Sequence, residues 1–170
     1  MTELEQALRQ LQQIESFCIF CDRLPIPPVT LPPDPVRAAG LDPDIWHGLG
    51  LVGLWAALDA FTERRPGYSK SISLSNRLSR KLPANLERIL KELEDMRHLY
   101  AHNFAGIADA QYFKPNRKRH CFQRNTTYHL RSGAYFDGRR LALTLEDLRF
   151  YIKHTRDILE YLDNIKMRGK

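Results

Sequence analysis

Between Gly48 and Leu58 the chain runs for eleven residues without a charge, Gly-Leu-Gly-Leu-Val-Gly-Leu-Trp-Ala-Ala-Leu. Helix signals bracket the stretch. Asp42-Pro43-Asp44 supplies a capping acid, a proline at the first helical position and a second acid near the positive end of the dipole. Pro66-Gly67 stops the helix beyond Arg64. A helix that is apolar nearly all round has to be enclosed by other elements. Eleven residues fall well short of the roughly 20 that cross a bilayer, so this segment is expected as the central buried helix of a bundle, with no membrane contact. Gly48, Gly50 and Gly53 would let a neighbouring backbone approach it closely.

The rest of the chain supplies the enclosing elements. Leu4, Ala7, Leu8, Leu11, Ile14, Cys18 and Cys21 recur at helical spacing from about Glu3 to Cys21. Six prolines between Pro25 and Pro35 then impose an extended linker. A short helical turn is expected at Leu74 to Leu78. Pro83 opens a third long helix with Leu86, Leu90, Leu93, Tyr100 and Phe104 on one stripe, closed by Gly106. Helical periodicity is lost from about 110 to 143, where Ala134 to Leu143 reads as a hairpin built on Asp137-Gly138. Thr144 and Asp147 resemble a capping box with Asp in place of Glu. They open a last helix whose apolar face is Leu148, Tyr151, Ile152, Ile158, Leu159, Leu162 and Ile165. With 170 residues and 43% apolar content there is material for one core. The expected fold is all-α: one domain over 1–170, an up-down bundle of four long helices, with an irregular insertion carrying a short β-hairpin between the third and fourth.

The charge of +6 is concentrated. Lys114, Arg117, Lys118, Arg119, Arg124, Arg131, Arg139 and Arg140 face the single acid Asp137 within the insertion, a local +7 that leaves the remainder near −1. Tyr112, Phe113, Phe122, Tyr128, Tyr135 and Phe136 are interleaved with them. Cations displace counterions from phosphates and aromatics stack on bases, so the segment is read as an RNA-binding surface, or as a solvated basic loop. The acidic start Met1-Thr2-Glu3-Leu4-Glu5 has no secretory character. Three cysteines make no disulfide scaffold, and a cytoplasmic setting is the expectation.

One position breaks the third helix's pattern. At about 100° per residue Arg97 falls in the arc of Leu86, Leu90, Leu93 and Tyr100. A guanidinium there needs an acid such as Asp59, or an interface. His102 lies in the last turn, where the dipole favours an imidazolium. Arg97-x4-His102, with the polar His98 directly after the arginine, resembles the signature of the HEPN superfamily. That resemblance implies a metal-independent endoribonuclease working as a homodimer, with no cofactor, in many cases a toxin or defence nuclease with a cognate antitoxin or neighbouring-gene partner. Arg97 and His102 would be the catalytic pair; His98, Tyr100 and Asn103 would contact phosphate or position it, and Glu94 and Asp95 would orient Arg97 or His98. Some toxins of that kind read Arg-x4-His-x-Tyr and are modified on the tyrosine. Phe104 stands there in this chain, so silencing by that route is not expected.

The chemistry suits the pair. Attack by the RNA's own 2′-hydroxyl needs proton transfer and stabilisation of a phosphorane, tasks for a histidine and a bidentate arginine. Along an ideal helix the two positions are about 140° and about 7.5 Å apart. Convergence therefore needs the long arginine stem, a helix distortion or a second subunit. Alternative readings are a non-catalytic RNA-binding or complex-forming subunit, and a zinc-stabilised protein using Cys18, Cys21, His120 and Cys121, against which both helix cysteines lie on the apolar stripe. His98 and His102 have metal-ligand spacing without the glutamate of His-Glu-x-x-His, and Gly48-x-Gly50 lacks the preceding strand of a phosphate loop.

Overall fold

The computed structural model describes residues 1–24, 43–64, 73–78, 81–102 and 121–168, with backbone alone at 43, 44, 102 and 166–168. Among these, five helices and one two-stranded antiparallel ladder occur in the order α1 (Glu3–Asp22), α2 (Pro43–Glu63), α3 (Leu74–Leu78), α4 (Ala84–His102), β1 (Tyr128–His129), β2 (Tyr135–Phe136) and α5 (Leu145–Arg168). The fold is mainly helical. The proline linker, Gly106 and the stretch 103–120 lie outside the described residues.

Local chemistry sets the helix ends. The Thr2 hydroxyl accepts from Glu5 N at 3.1 Å while Glu5 accepts from Thr2 N at 2.7 Å, a full capping box that opens α1. The Thr144–Asp147 pair does the same for α5: Thr144 Oγ1 accepts from Asp147 N at 3.2 Å, and Asp147 Oδ2 accepts from Thr144 N at 2.9 Å. The shorter Asp side chain therefore suffices.

Helix α2 packs against α1, α4 and α5. It buries Leu51, Leu54, Trp55, Ala57, Leu58 and Phe61. By length and composition Ile45–Glu63 could cross a membrane, and 56% of it is buried within the fold. The expected close backbone approach at its glycines is corrected: side chains fill the space instead. A methyl on Gly48 would overlap the ring of Tyr100, on Gly50 it would meet Cys18 Sγ and Leu148, and on Gly53 Ile14. Six of the seven expected apolar positions of α5 are buried; Ile165, 44% exposed, is not.

The hairpin is displaced from its expected place. The ladder pairs Tyr128 with Phe136 and His129 with Tyr135 across a turn in which Leu130 N donates to Ala134 O at 2.8 Å and Gly133 takes φ +108°. The Asp137-Gly138 reversal exists as well, but it supports a single bridge, Phe136 to Leu141. Phe136 belongs to both pairings and is fully buried; it stacks on Phe122 at 4.8 Å, and Phe122 meets the Tyr128 ring edge-on at 5.8 Å, which adds side-chain packing to the Tyr128 pairing. Gly138, at φ +93° and against the Asn125 backbone, has no room for a side chain.

Candidate active site

Helix α4 carries the site and is buried on more of its circumference than one stripe. Besides Leu86, Leu90 and Leu93 it buries Ile89, Met96 and Leu99, and with them two acids, Glu92 at 3% exposed and Asp95 at 0%. Glu92 accepts from Tyr151 Oη at 2.8 Å, Tyr128 Oη at 3.2 Å and Arg131 N at 3.3 Å. Asp95 accepts from Cys121 N at 2.6 Å and has Lys91 Nζ at 3.6 Å. Farther along, Tyr100 donates to Leu141 O at 2.8 Å. Glu92, Asp95 and Tyr100 thus clamp the insertion to α4 at three successive points. Burial and the Glu92 carboxylate push the hydroxyl titrations of Tyr128 and Tyr151 upward, so both stay donors.

Arg97 is half-buried on α4. Asp59, named above as one acid that could pair with it, is bound by Arg77 of α3, whose side chain is 10% exposed. Among the described residues Arg97 meets one polar partner, its neighbour His98, with Nη1 at 3.3 Å from His98 Nδ1. A guanidinium can only donate, so in this contact His98 Nδ1 is the acceptor. Among the described residues this partly buried cation meets no carboxylate, and an imidazole stands beside it. Glu94 stands 3.9 Å from Lys91. Asp95 is fully buried and reaches Cys121 N and Lys91.

The α-helix is continuous from Ala84 through His102, so both members of the expected pair lie on one regular helix. Distortion of that helix is thereby removed as a way of bringing them together; the stem of Arg97 and a second subunit remain. The His102 side chain, Asn103, Lys114, Arg117, Lys118, Arg119 and His120 lie outside the described residues. Arg124, Arg131 and Arg139 are exposed and Arg140 is half-buried.

The cysteines sit in two different settings. Cys18 and Cys21 are buried in α1, Cys18 donating to Trp46 O at 3.4 Å, whereas Cys121 lies against Asp95 and Tyr128. Burial pushes the Cys18 thiol up to about 11 and Cys121 up to about 12. Both are held as thiols. Among the described residues no three His, Cys, Asp or Glu side chains form a group that could hold a metal.

Sequence reasoning missed two buried polar centres. Glu92 follows Ile89 by three residues and precedes Met96 by four, an apolar stripe on which an acid is as anomalous as Arg97 is on its own. His47, 3% exposed, has Nδ1 at 2.9 Å from Leu143 O and Nε2 at 3.0 Å from Asp22 Oδ1. With both ring nitrogens engaged it ties α1, α2 and the approach to α5 together. Nothing in its sequence surroundings marks it.

Compared with protein-family models, curated proteins and solved structures, the chain matches none of them.

Proposed function

We propose that the chain is a metal-independent endoribonuclease of the HEPN type, an up-down four-helix bundle acting as a homodimer, with Arg97 and His102 as its catalytic pair. The observation that supports this reading best is Arg97 itself: a partly buried guanidinium which meets no carboxylate among the described residues, Asp59 being bound by Arg77. Such a group is set to receive an anion, and a phosphate diester fits its two-pronged donor geometry. Arg97 stabilises the phosphorane, His102 transfers the proton, and His98 stands beside the guanidinium. Tyr100, its hydroxyl bound to Leu141, positions the helix.

The helix geometry calls for the dimer. With about 140° between them on a continuous helix, Arg97 and His102 converge most simply when the helix meets its symmetry mate, so that each phosphate is served by groups from both subunits. The biological setting that goes with the reading is a toxin or defence nuclease in the cytoplasm, held by an antitoxin or a neighbouring-gene partner. The same separation favours a second reading, an RNA-binding subunit without turnover, if the chain stays monomeric.

A single 2′-deoxy nucleotide at the cleavage site separates the two. The nuclease reading expects affinity nearly intact and cleavage abolished. Efficient cutting of the deoxy substrate overturns the 2′-hydroxyl mechanism, and no cutting of the all-ribose strand by concentrated protein leaves the binding subunit.

A further inference from the structure

A cavity of about 550 Å³ opens between the hairpin and the start of α5, bounded by Tyr135, Asp137, Arg140, Ala142, Thr144 and Asp147. Its size falls in the range of small-ligand sites. Tyr135 is 56% exposed, on the opposite side of β2 from the buried Phe136, with the His129 ring 6.0 Å away across the ladder. It gives the core little and offers a ring face to whatever enters the cavity.

The wall carries two carboxylates, Asp137 and Asp147, and one guanidinium, Arg140. Asp147, 6% exposed, spends Oδ2 on Thr144 N and Oγ1, and its Oδ1 has no hydrogen-bond partner among the described residues. Asp137 spends Oδ1 on Arg139 N at 2.8 Å and Arg140 N at 2.7 Å, and its Oδ2 likewise has none among the described residues. Those backbone donors hold the Asp137 carboxyl below its ordinary range, so it stays an ionised acceptor. The two carboxylates outnumber the Arg140 guanidinium on the same wall, so the cavity receives N–H donors better than a phosphate. The exposed Arg124, Arg131 and Arg139 of the same segment supply the positive charge outside it.

We propose that this cavity is a nucleobase subsite for the RNA substrate, which stacks an amino-bearing base on Tyr135, gives its exocyclic amine to Asp137 and Asp147, and leaves the phosphates to the surrounding arginines. The inference rests on the RNA reading above. Adenine, cytosine and guanine carry amino donors there, whereas uracil presents carbonyl oxygens on either side of one N–H and is disfavoured against carboxylates. Leu141, next to Arg140, is the residue bound by Tyr100 between Arg97 and His102, so the subsite is linked to the cleaving end of α4.

The test uses fluorescein-labelled 2′-O-methyl ten-mers of C, A and U, which resist cleavage, titrated with the full chain at one fixed salt concentration and read by anisotropy. The C and A strands bind about tenfold more tightly than U. Tyr135→Ala weakens the C strand about tenfold while Tyr135→Phe keeps it, and Asp137→Asn, which preserves the turn, erases the preference over U. If the ten-mers bind and ordinary RNA is cut but Tyr135→Ala changes nothing, or U binds as well as C, the subsite falls and the nuclease reading stands. If no ten-mer binds and no RNA is cut, both fall.

Discussion

A methyl group added at Gly48 probes the contact that holds the site helix in place. The new carbon would overlap three atoms of the Tyr100 ring, Cγ, Cδ1 and Cε1. A ring cannot yield as a flexible side-chain end does, and its hydroxyl is fixed at 2.8 Å from Leu141 O. Either Tyr100 leaves its place or α2 and α4 separate. Overpacking of this kind costs about 1–3 kcal/mol, and breaking the hydroxyl bond adds about 1 kcal/mol. Replacing a mid-helix glycine by alanine returns about 1 kcal/mol. Gly48→Ala should therefore lower stability by about 1–3 kcal/mol, read as a lower urea midpoint or a melting temperature reduced by about 2–4 °C per kcal/mol. Gly53→Ala is the control: its methyl meets the terminal Ile14 Cδ1 at 3.1 Å, an end that can shift, so it should be neutral or up to about 1 kcal/mol stabilising. In a Tyr100→Ala background Gly48→Ala should lose its penalty. A Gly48→Ala protein as stable as the parent would refute the packing.

Removing the Glu92 acceptor leaves two tyrosine hydroxyls and Arg131 N without their carboxylate, so Glu92→Ala should cost about 3–5 kcal/mol in urea unfolding, and less when Tyr151→Phe is already present. With Cys18 near 11 and Cys121 near 12, only about one thiol in a thousand or fewer is ionised at pH 8, against roughly a quarter for an ordinary cysteine, so iodoacetamide should label both only after unfolding. Hydrogen bonds from Arg140 N and Arg139 N lower the Asp137 carboxyl. Its support of the turn is therefore complete above the ordinary carboxylate range and lost as pH falls through the lowered value, which amide exchange at Arg139 and Arg140 should report. Replacing Arg117, Lys118 and Arg119 together with alanine should flatten the salt dependence of RNA binding by up to about 0.7 per lost contact, with little change at saturating RNA; an unchanged slope would make that stretch a solvated loop.

The helices were legible because their punctuation is local. Pro43, Pro83 and Thr144–Asp147 act within one turn, and Leu74–Leu78 follows from two apolar residues four apart. What escaped depends on partners far along the chain. Glu92 breaks the Ile89–Met96 stripe, but what holds it emerges only when Tyr128, Arg131 and Tyr151, 36 to 59 residues away, are brought to it. The Tyr128 pairing of the hairpin draws on the Phe122 ring, and the alternation around Asp137-Gly138 fits either strand pairing. Arg97 was conspicuous as a charge on an apolar stripe, yet its freedom from Asp59 follows only from the placement of Arg77.

The most direct test of the central claim incubates the purified protein with single-stranded RNA in excess EDTA and analyses the product ends. The account predicts fragments ending in 2′,3′-cyclic phosphate, lost in Arg97→Ala and again in His102→Ala while both variants keep the parent's folded circular-dichroism spectrum. Unchanged cleavage in either folded variant, or cleavage that EDTA abolishes, would contradict it.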